Sequence, residues 1–564
     1  MASNQGDFDI QIFRNDRWTT EAIREREIDA RAMARKFLSD KKCAGARVVS
    51  NRLQSDGSVD EKVIFEEKQS VKDSQLLTIS TVNDVKIYCD KPRDVFSLES
   101  RILINRIFRS YLESVTLTPT EVLHSHKEIQ RLADRDSLMF SATSHVAKLQ
   151  SKNGAKGTKK RHREIVEIVD QISAQAERAA TFKLPKLSKS FSETIAAASN
   201  VKGDTPEYLA MVILSRALQK VPTWTDKLEK LCLLVNAETD RKAILLLDTV
   251  IADLLGTHLL QELLGWQKSL GSAIISMIDL SEGIYDAEKS EAQKTTERLN
   301  FLMKKNILPA SRHVLVDRAL RQLKSSAPLY KADPTKEMEE YQRVMARLLV
   351  PGGILSGAEG AEAITLRGTQ FVKEGGATGK RAVISATVNS LPDPARGVMY
   401  LAELTKTTIA DEHLEDIVKE LDVVFSARVI DELCRRSMSP KDRMVTATGA
   451  FMATTTSALP DGIKQQVTEH IDGVLERYLV DENIIDKLDS PQAHLRDRAV
   501  RLVKFCGAGV LPEGKALSLA RKRVVSLLRQ PNFDDRFVDG LSGTVSDKAL
   551  RDFHKLLVQG GLAG

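Results

Sequence analysis

Along most of the chain, apolar side chains recur every three or four positions. Leu228, Leu231, Cys232 and Val235 form one stripe, Leu247, Val250, Ile251, Leu254 and Leu255 a second, and Ile463, Val467, Ile471, Val474 and Leu475 a third. Residues at that spacing share one helix face, so each stripe predicts a helix packed against a neighbour. Ile165, Ile168, Val169, Ile172 and Ala176 predict another over 164–180. The stripes keep no fixed repeat length, which points to an irregular helical array or bundles rather than a regular solenoid.

The first 92 residues read differently. Ile10 and Ile12 alternate with polar neighbours in a strand running toward Trp18, and Ala30, Met33, Ala34 and Phe37 lie at helical spacing. Val48 and Val49 begin a second strand, and Ser55-Asp56-Gly57-Ser58 turns it toward Val63-Ile64-Phe65. Leu76–Ser80 and Val85–Cys89 suggest two further strands. The expected fold class is therefore mainly α, a multi-domain helical array or bundles with a small N-terminal α/β (β-α-β-β) module.

Local punctuation sets the helix starts. Thr118-Pro119-Thr120-Glu121 is a capping box with Pro at the first helical position, so two first-turn amides gain side-chain acceptors. Thr205-Pro206, Asp333-Pro334, Asp393-Pro394, Ser439-Pro440 and Ser490-Pro491 repeat the pattern of cap and proline. Pro351-Gly352-Gly353 and Gly375-Gly376 mark turns in the C-terminal half. These signals divide the chain into the α/β module 1–92, a helical segment 93–150, a basic linker 151–163, a helix and flexible connector 164–200 (Lys183–Ser190 its flexible part), a helical domain 201–345 and a C-terminal helical domain 346–564.

Composition narrows the class. Hydrophobic residues make up 42% and charged residues 28%, a globular balance, and aromatics are only 5%, which suits helices packed through aliphatic side chains. The 83 basic and 77 acidic side chains leave a net charge of +6, too little for a global field that would draw in polyanions. The five cysteines, Cys43, Cys89, Cys232, Cys434 and Cys506, have no CxxC spacing, which argues for reduced thiols and a cytoplasmic setting. The N-terminus lacks the pattern of a secretory signal, and the apolar run 243–264 carries Asp248, Asp253, His258 and Glu262, so it reads as a buried amphipathic helix rather than a membrane span.

Candidate chemistry is sparse. Gly375-Gly376-Ala377-Thr378-Gly379-Lys380 lacks the first glycine of a phosphate-binding loop, has Arg381 where Ser or Thr must reach magnesium, and reads as a solvent loop. Glu121-Val122-Leu123-His124 is half of a di-iron motif without its second half. Glu121 is explained by the capping box, and His124 and Glu128 by an i,i+4 surface pair. His258, His470 and His554 read as histidines at the edge of packed faces. No cofactor or metal is expected, nor a buried cluster of ionisable groups. The one charged segment above background is 151–163, where Lys152, Lys156, Lys159, Lys160, Arg161 and Arg163 are candidate polyanion contacts without aromatics to stack on bases. The basic amphipathic helix around Arg521-Lys522-Arg523 looks like an ordinary surface helix.

These readings favour a non-catalytic cytoplasmic regulatory or adaptor protein that binds protein partners through helical surfaces. The alternatives are nucleic-acid or anionic-surface binding through 152–163, and an enzyme whose site is assembled from scattered residues. Limited trypsin digestion is expected to cut first within 151–163 or near 183–189, since both stretches are basic and lack apolar periodicity; protection of both would displace these boundaries.

Overall fold

A computed structural model of the chain describes residues 7–14, 17–39, 45–53, 59–68, 79, 80, 82, 85, 87–135, 137–151, 157–372 and 375–562. The fold is mainly helical with a small α/β module at its start, as the periodicity predicts. Two compact units divide it, one of residues 1–84, 107–111 and 130–163, the other of residues 85–106, 112–129 and 164–564.

In the first unit, strands β1 (Asp7–Arg14) and β2 (Arg17–Arg24) precede helix α1 (Glu27–Ser39), and β3 (Gly45–Leu53) and β4 (Val59–Lys68) follow it. The sheet is antiparallel throughout, in the order β2-β1-β3-β4. Period-two alternation sends Ile10, Ile12, Ala46 and Val48 to one face. Ala30 and Ala34 of α1 bury against them, with Met33 and Phe37 alongside. The expected single strand toward Trp18 is a hairpin instead, with Trp18 on β2 opposite Phe13. The expected strand Val85–Cys89 is irregular where it is described, at Val85 and residues 87–89. Leu76–Thr78 and the turn Ser55–Ser58 lie outside the described residues.

The second unit is built from helices whose stripes face inward. Those used below are α2 (Leu98–Ile107, its last residue in the first unit), α3 (Pro119–Leu123), α4 (Thr158–Thr181, residues 158–163 in the first unit), α5 (Pro206–Leu218), α6 (Trp224–Asn236), α7 (Arg241–Leu255), α8 (Gln293–Lys304), α9 (Pro309–Lys324), α10 (Pro394–Leu404), α11 (Pro440–Thr455), α12 (Asp461–Asp481), α13 (Leu495–Gly507) and α14 (Lys515–Leu528). The stripe residues named in α6, α7 and α12 are fully buried, apart from the half-buried Ile463 at the start of α12. One continuous apolar core has buried residues from Phe191 to Leu557. Among the described residues no helix is long and apolar enough to cross a membrane.

Caps start the helices largely as the sequence implies. Thr205, Asp393 and Ser439 accept hydrogen bonds from the amides of Tyr208, Arg396 and Asp442, opening α5, α10 and α11. Asp333 caps a 3₁₀ turn, Pro334–Lys336, that runs directly into the helix Glu337–Leu348. Ser490-Pro491 starts no helix: Ser490 bonds the Gln492 side chain in a turn, and α13 begins at Leu495 with the His494 ring accepting from Arg496. Residues 158–163, placed in the expected linker, are the first turns of α4. Lys183–Ser190 is irregular but not loose, because Leu184 and Leu187 pack against Ala179, Leu209 and Ile213; this argues against early cleavage there.

A second kind of cap joins helices distant in sequence. Asp248 on α7 is fully buried and accepts from the amides of Ala310 (2.6 Å) and Ser311 (3.0 Å) and from the Ser311 hydroxyl (2.6 Å), so it caps α9. Asp253, one turn further along α7, accepts from Thr120 N (3.0 Å) and Oγ1 (2.6 Å) at the start of α3. Asp472 on α12 accepts from Lys515 N (2.6 Å) and Ala516 N (3.1 Å) at the start of α14. Glycine is required beside it: a Cβ at Gly514 would stand 2.5 Å from the Asp472 carboxylate.

Removing such a cap strands buried donors, which costs more than the bond itself contributes. Asp248→Ala is therefore expected to destabilise the second unit by about 3–5 kcal/mol, and Asp248→Asn, which keeps one acceptor, by clearly less. Denaturant midpoints check this; equal midpoints for Asp248→Ala and the parent chain would refute the capping role.

Candidate functional site

Ionisable side chains do gather inside the second unit, contrary to the expectation of an apolar interior. Arg101 of α2 is buried and donates from Nη1 to Thr120 Oγ1 (2.9 Å) and to the carbonyl of Thr249 (3.0 Å), with Asp253 at 3.4 Å. Glu121 keeps its capping-box bonds, its Oε2 accepting from the Thr118 amide (2.9 Å) while its Oε1 accepts from Lys227 Nζ (2.6 Å). Lys227 also donates to the carbonyl of Thr116 (2.6 Å). Burial pushes the carboxyl of Glu121 up and the ammonium of Lys227 down, and their mutual attraction opposes both shifts.

His124 completes this cluster. Its Nδ1 donates to the Thr120 carbonyl (2.8 Å), and its ring lies 5.2 Å from Phe96 and 5.1 Å from Tyr208. Both His124 and Glu128 are buried, so they are not the surface pair that i,i+4 spacing suggested. The named bonds of these groups go to helix ends, a carbonyl or an ion partner, which leaves them holding helices together. Among the described residues no group of three His, Cys, Asp or Glu is placed to hold a metal ion.

Other sequence candidates are dispersed. Lys152 and Lys156 lie outside the described residues. Lys159, Lys160 and Arg163 are exposed on the first turns of α4, whereas Arg161 is buried and donates to the Gln150 side chain (2.6 Å). Gly376–Lys380 is helix rather than solvent loop, and Lys380 and Arg381 pair with Glu412 (3.3 Å) and Asp416 (3.0 Å). His470 bonds the Ala427 carbonyl (2.7 Å) and His258 stands 3.5 Å from Glu113, both at the margin of packed faces, but His554 is exposed. Burial pushes the thiols of Cys232 and Cys434 up to about 12 and that of Cys506 up to about 11, so none is a thiolate nucleophile.

A surface hollow lies between α6 and α8. The stripes of these helices turn Cys232 and Leu302 inward, which leaves Leu233 and Phe301, one position away, on the rim with 49% and 53% of their surface exposed. Glu229 ties the two helices together by pairing with Arg298 and accepting from Thr295 Oγ1 (3.3 Å). Lys305 lies over the Phe301 ring at 4.0 Å. In the same unit Trp266 is 83% exposed. It follows Gly265, whose φ of +58° and close approach to the Lys289 carbonyl exclude any side chain. None of these residues stands out from the sequence. The available signal was a large apolar residue directly beside a stripe rather than on it. No family model, no curated protein and no solved structure matches this chain.

The buried histidine gives a pH signature. Burial holds His124 down at about 4, against 6.5 in an unfolded chain. Below pH 6.5 the unfolded chain takes up a proton that the folded one refuses. Stability is therefore full above about pH 6.5 and is lost as pH falls toward 4, by about 3 kcal/mol in all. Denaturation midpoints measured between pH 7 and 4 are expected to lose this slope in His124→Phe; the same slope in both proteins would contradict the assignment.

Proposed function

We propose that the chain is a non-catalytic cytoplasmic adaptor or regulatory protein whose second unit docks protein partners on its helical surface. The observation that carries this reading is the α6–α8 hollow with Leu233 and Phe301 on its rim. Exposed aromatic and aliphatic residues beside a concavity have the make-up of an interface anchor, where a few large side chains supply most of the binding energy. The rim is also mixed in polarity, with Asn236, Glu297 and Arg298 around the apolar pair. Such an edge suits partners that come and go. The engagement of Arg101, Glu121, Lys227, Asp248 and Asp253 in helix ends and ion pairs weighs against an enzyme built from these buried groups. Burial of Arg161 takes one cation from the 152–163 segment and weakens the polyanion alternative.

The test compares the full chain with Leu233→Glu and Phe301→Glu in affinity capture with crosslinking and mass spectrometry. Both positions are exposed, so the melting temperature is expected to stay unchanged. A partner recovered reproducibly by the parent chain should fall at least about tenfold in either variant. Equal recovery by parent and variants, or no partner above background, contradicts the proposal.

A further inference from the structure

α14 packs its apolar stripe, Ala516, Leu517, Ala520, Val524 and Leu527, into the core. Its opposite face exposes Lys515, Ser518, Lys522, Ser526 and the capping residue Arg529, with Val525 half-buried between them. Residues 515, 518, 522, 525 and 529 follow a three-four spacing, the seam that a second helix lying alongside would read. Lys515, Lys522 and Arg529 are seven residues apart, or about 10.5 Å along the axis.

Charge singles this face out. No acidic residue occurs from 514 to 533. The basic residues beside the seam are already neutralised: Arg521 is held by both oxygens of Glu513 (2.7 and 2.8 Å), and Arg523 by Asp489 (3.1 Å) and Asp486. Lys515, Lys522 and Arg529 have no such counter-charge among the described residues. Three uncompensated cations at heptad spacing repel a second copy of the same face, and the buried apolar stripe leaves nothing to insert into a bilayer. The face carries no aromatic ring for stacking on bases.

We propose that the α14 face binds a helix of a partner protein that carries acidic residues at seven-residue spacing, with an apolar residue set against Val525. The small side chains of Ser518 and Ser526 let the partner helix approach closely, and its carboxylates pair with Lys515, Lys522 and Arg529. This inference rests on the adaptor reading and adds a partner chemistry to it.

The probe is a synthetic helical peptide about three heptads long with Glu at each first seam position and Leu at each second, labelled for fluorescence anisotropy and titrated with the full chain. A peptide with Lys replacing Glu and a labelled DNA duplex are run beside it. The Glu peptide is expected to bind saturably, more weakly as salt rises, and the Lys peptide not to bind. Charge reversal in a Lys522→Glu/Arg529→Glu chain should raise its Kd about tenfold or more, with helicity by circular dichroism unchanged. No saturable binding of the Glu peptide, a Kd unaltered by the reversal, or tighter binding of the duplex that the reversal abolishes each overturns the proposal. Phe301→Glu separates the two readings: partner recovery lost there while the α14 reversal changes nothing removes the α14 site and leaves the adaptor function standing.

Discussion

The second unit depends on carboxylates that leave their own helix to close the start of another. The first amides of a helix have no acceptor within it, and inside an apolar core no water takes that place. Asp248, Asp253 and Asp472 supply the missing acceptor across the array, each bonding two successive or adjacent donors at a foreign helix start. Packing of aliphatic ridges into grooves favours certain helix crossings but leaves a scatter of about ±15–20°. A buried carboxylate aimed at a helix end has a direction, so it fixes register and crossing. α7 shows the principle most fully, with α9 pinned by one aspartate and α3 by another five residues later. Glu238 does the same for the helix Phe191–Ala198, accepting from the Ser192 amide at 2.8 Å and from the Ser190 hydroxyl at 2.9 Å.

This explains what could be read in the sequence and what could not. Apolar stripes and caps are local patterns, and the helices carrying Leu228–Val235 or Val467–Leu475, like the capping box at Thr118, stand where the spacing places them. Long-range partners are invisible in such patterns. Asp248 and Asp253 looked like polar interruptions that argued against a membrane span, when their role is set by residues more than sixty positions away. His124 and Glu128 had the spacing of a surface pair, but spacing does not reveal which helix face is covered. The β1–β2 hairpin reverses between Arg14 and Arg17, where no glycine or proline marks a turn in the sequence. Ser490-Pro491 had the composition of a helix start but serves as a turn, its serine bonded to Gln492 rather than to a first-turn amide.

The same division accounts for the surface. Charges inside the unit are spent on helix ends and on each other, and many outside are paired with neighbours, as Arg521 is with Glu513 and Arg381 with Asp416. Among the surface features that remain are an apolar rim at Leu233 and Phe301 and a row of cations on α14, both on helices whose opposite faces are locked into the core. Rigid helices with one face fixed present the other face with little conformational entropy left to lose.

Cross-helix capping holds the second unit in register, and residue-resolved hydrogen exchange of the native chain tests this most directly. Ala310, Ser311, Thr120, Lys515 and Ala516 sit in first helical turns, where exposed amides ordinarily exchange fast. Protection approaching that of the core helices is expected at all five amides, because their hydrogens are bonded to buried carboxylates. Exchange at the rate of frayed helix ends would contradict it.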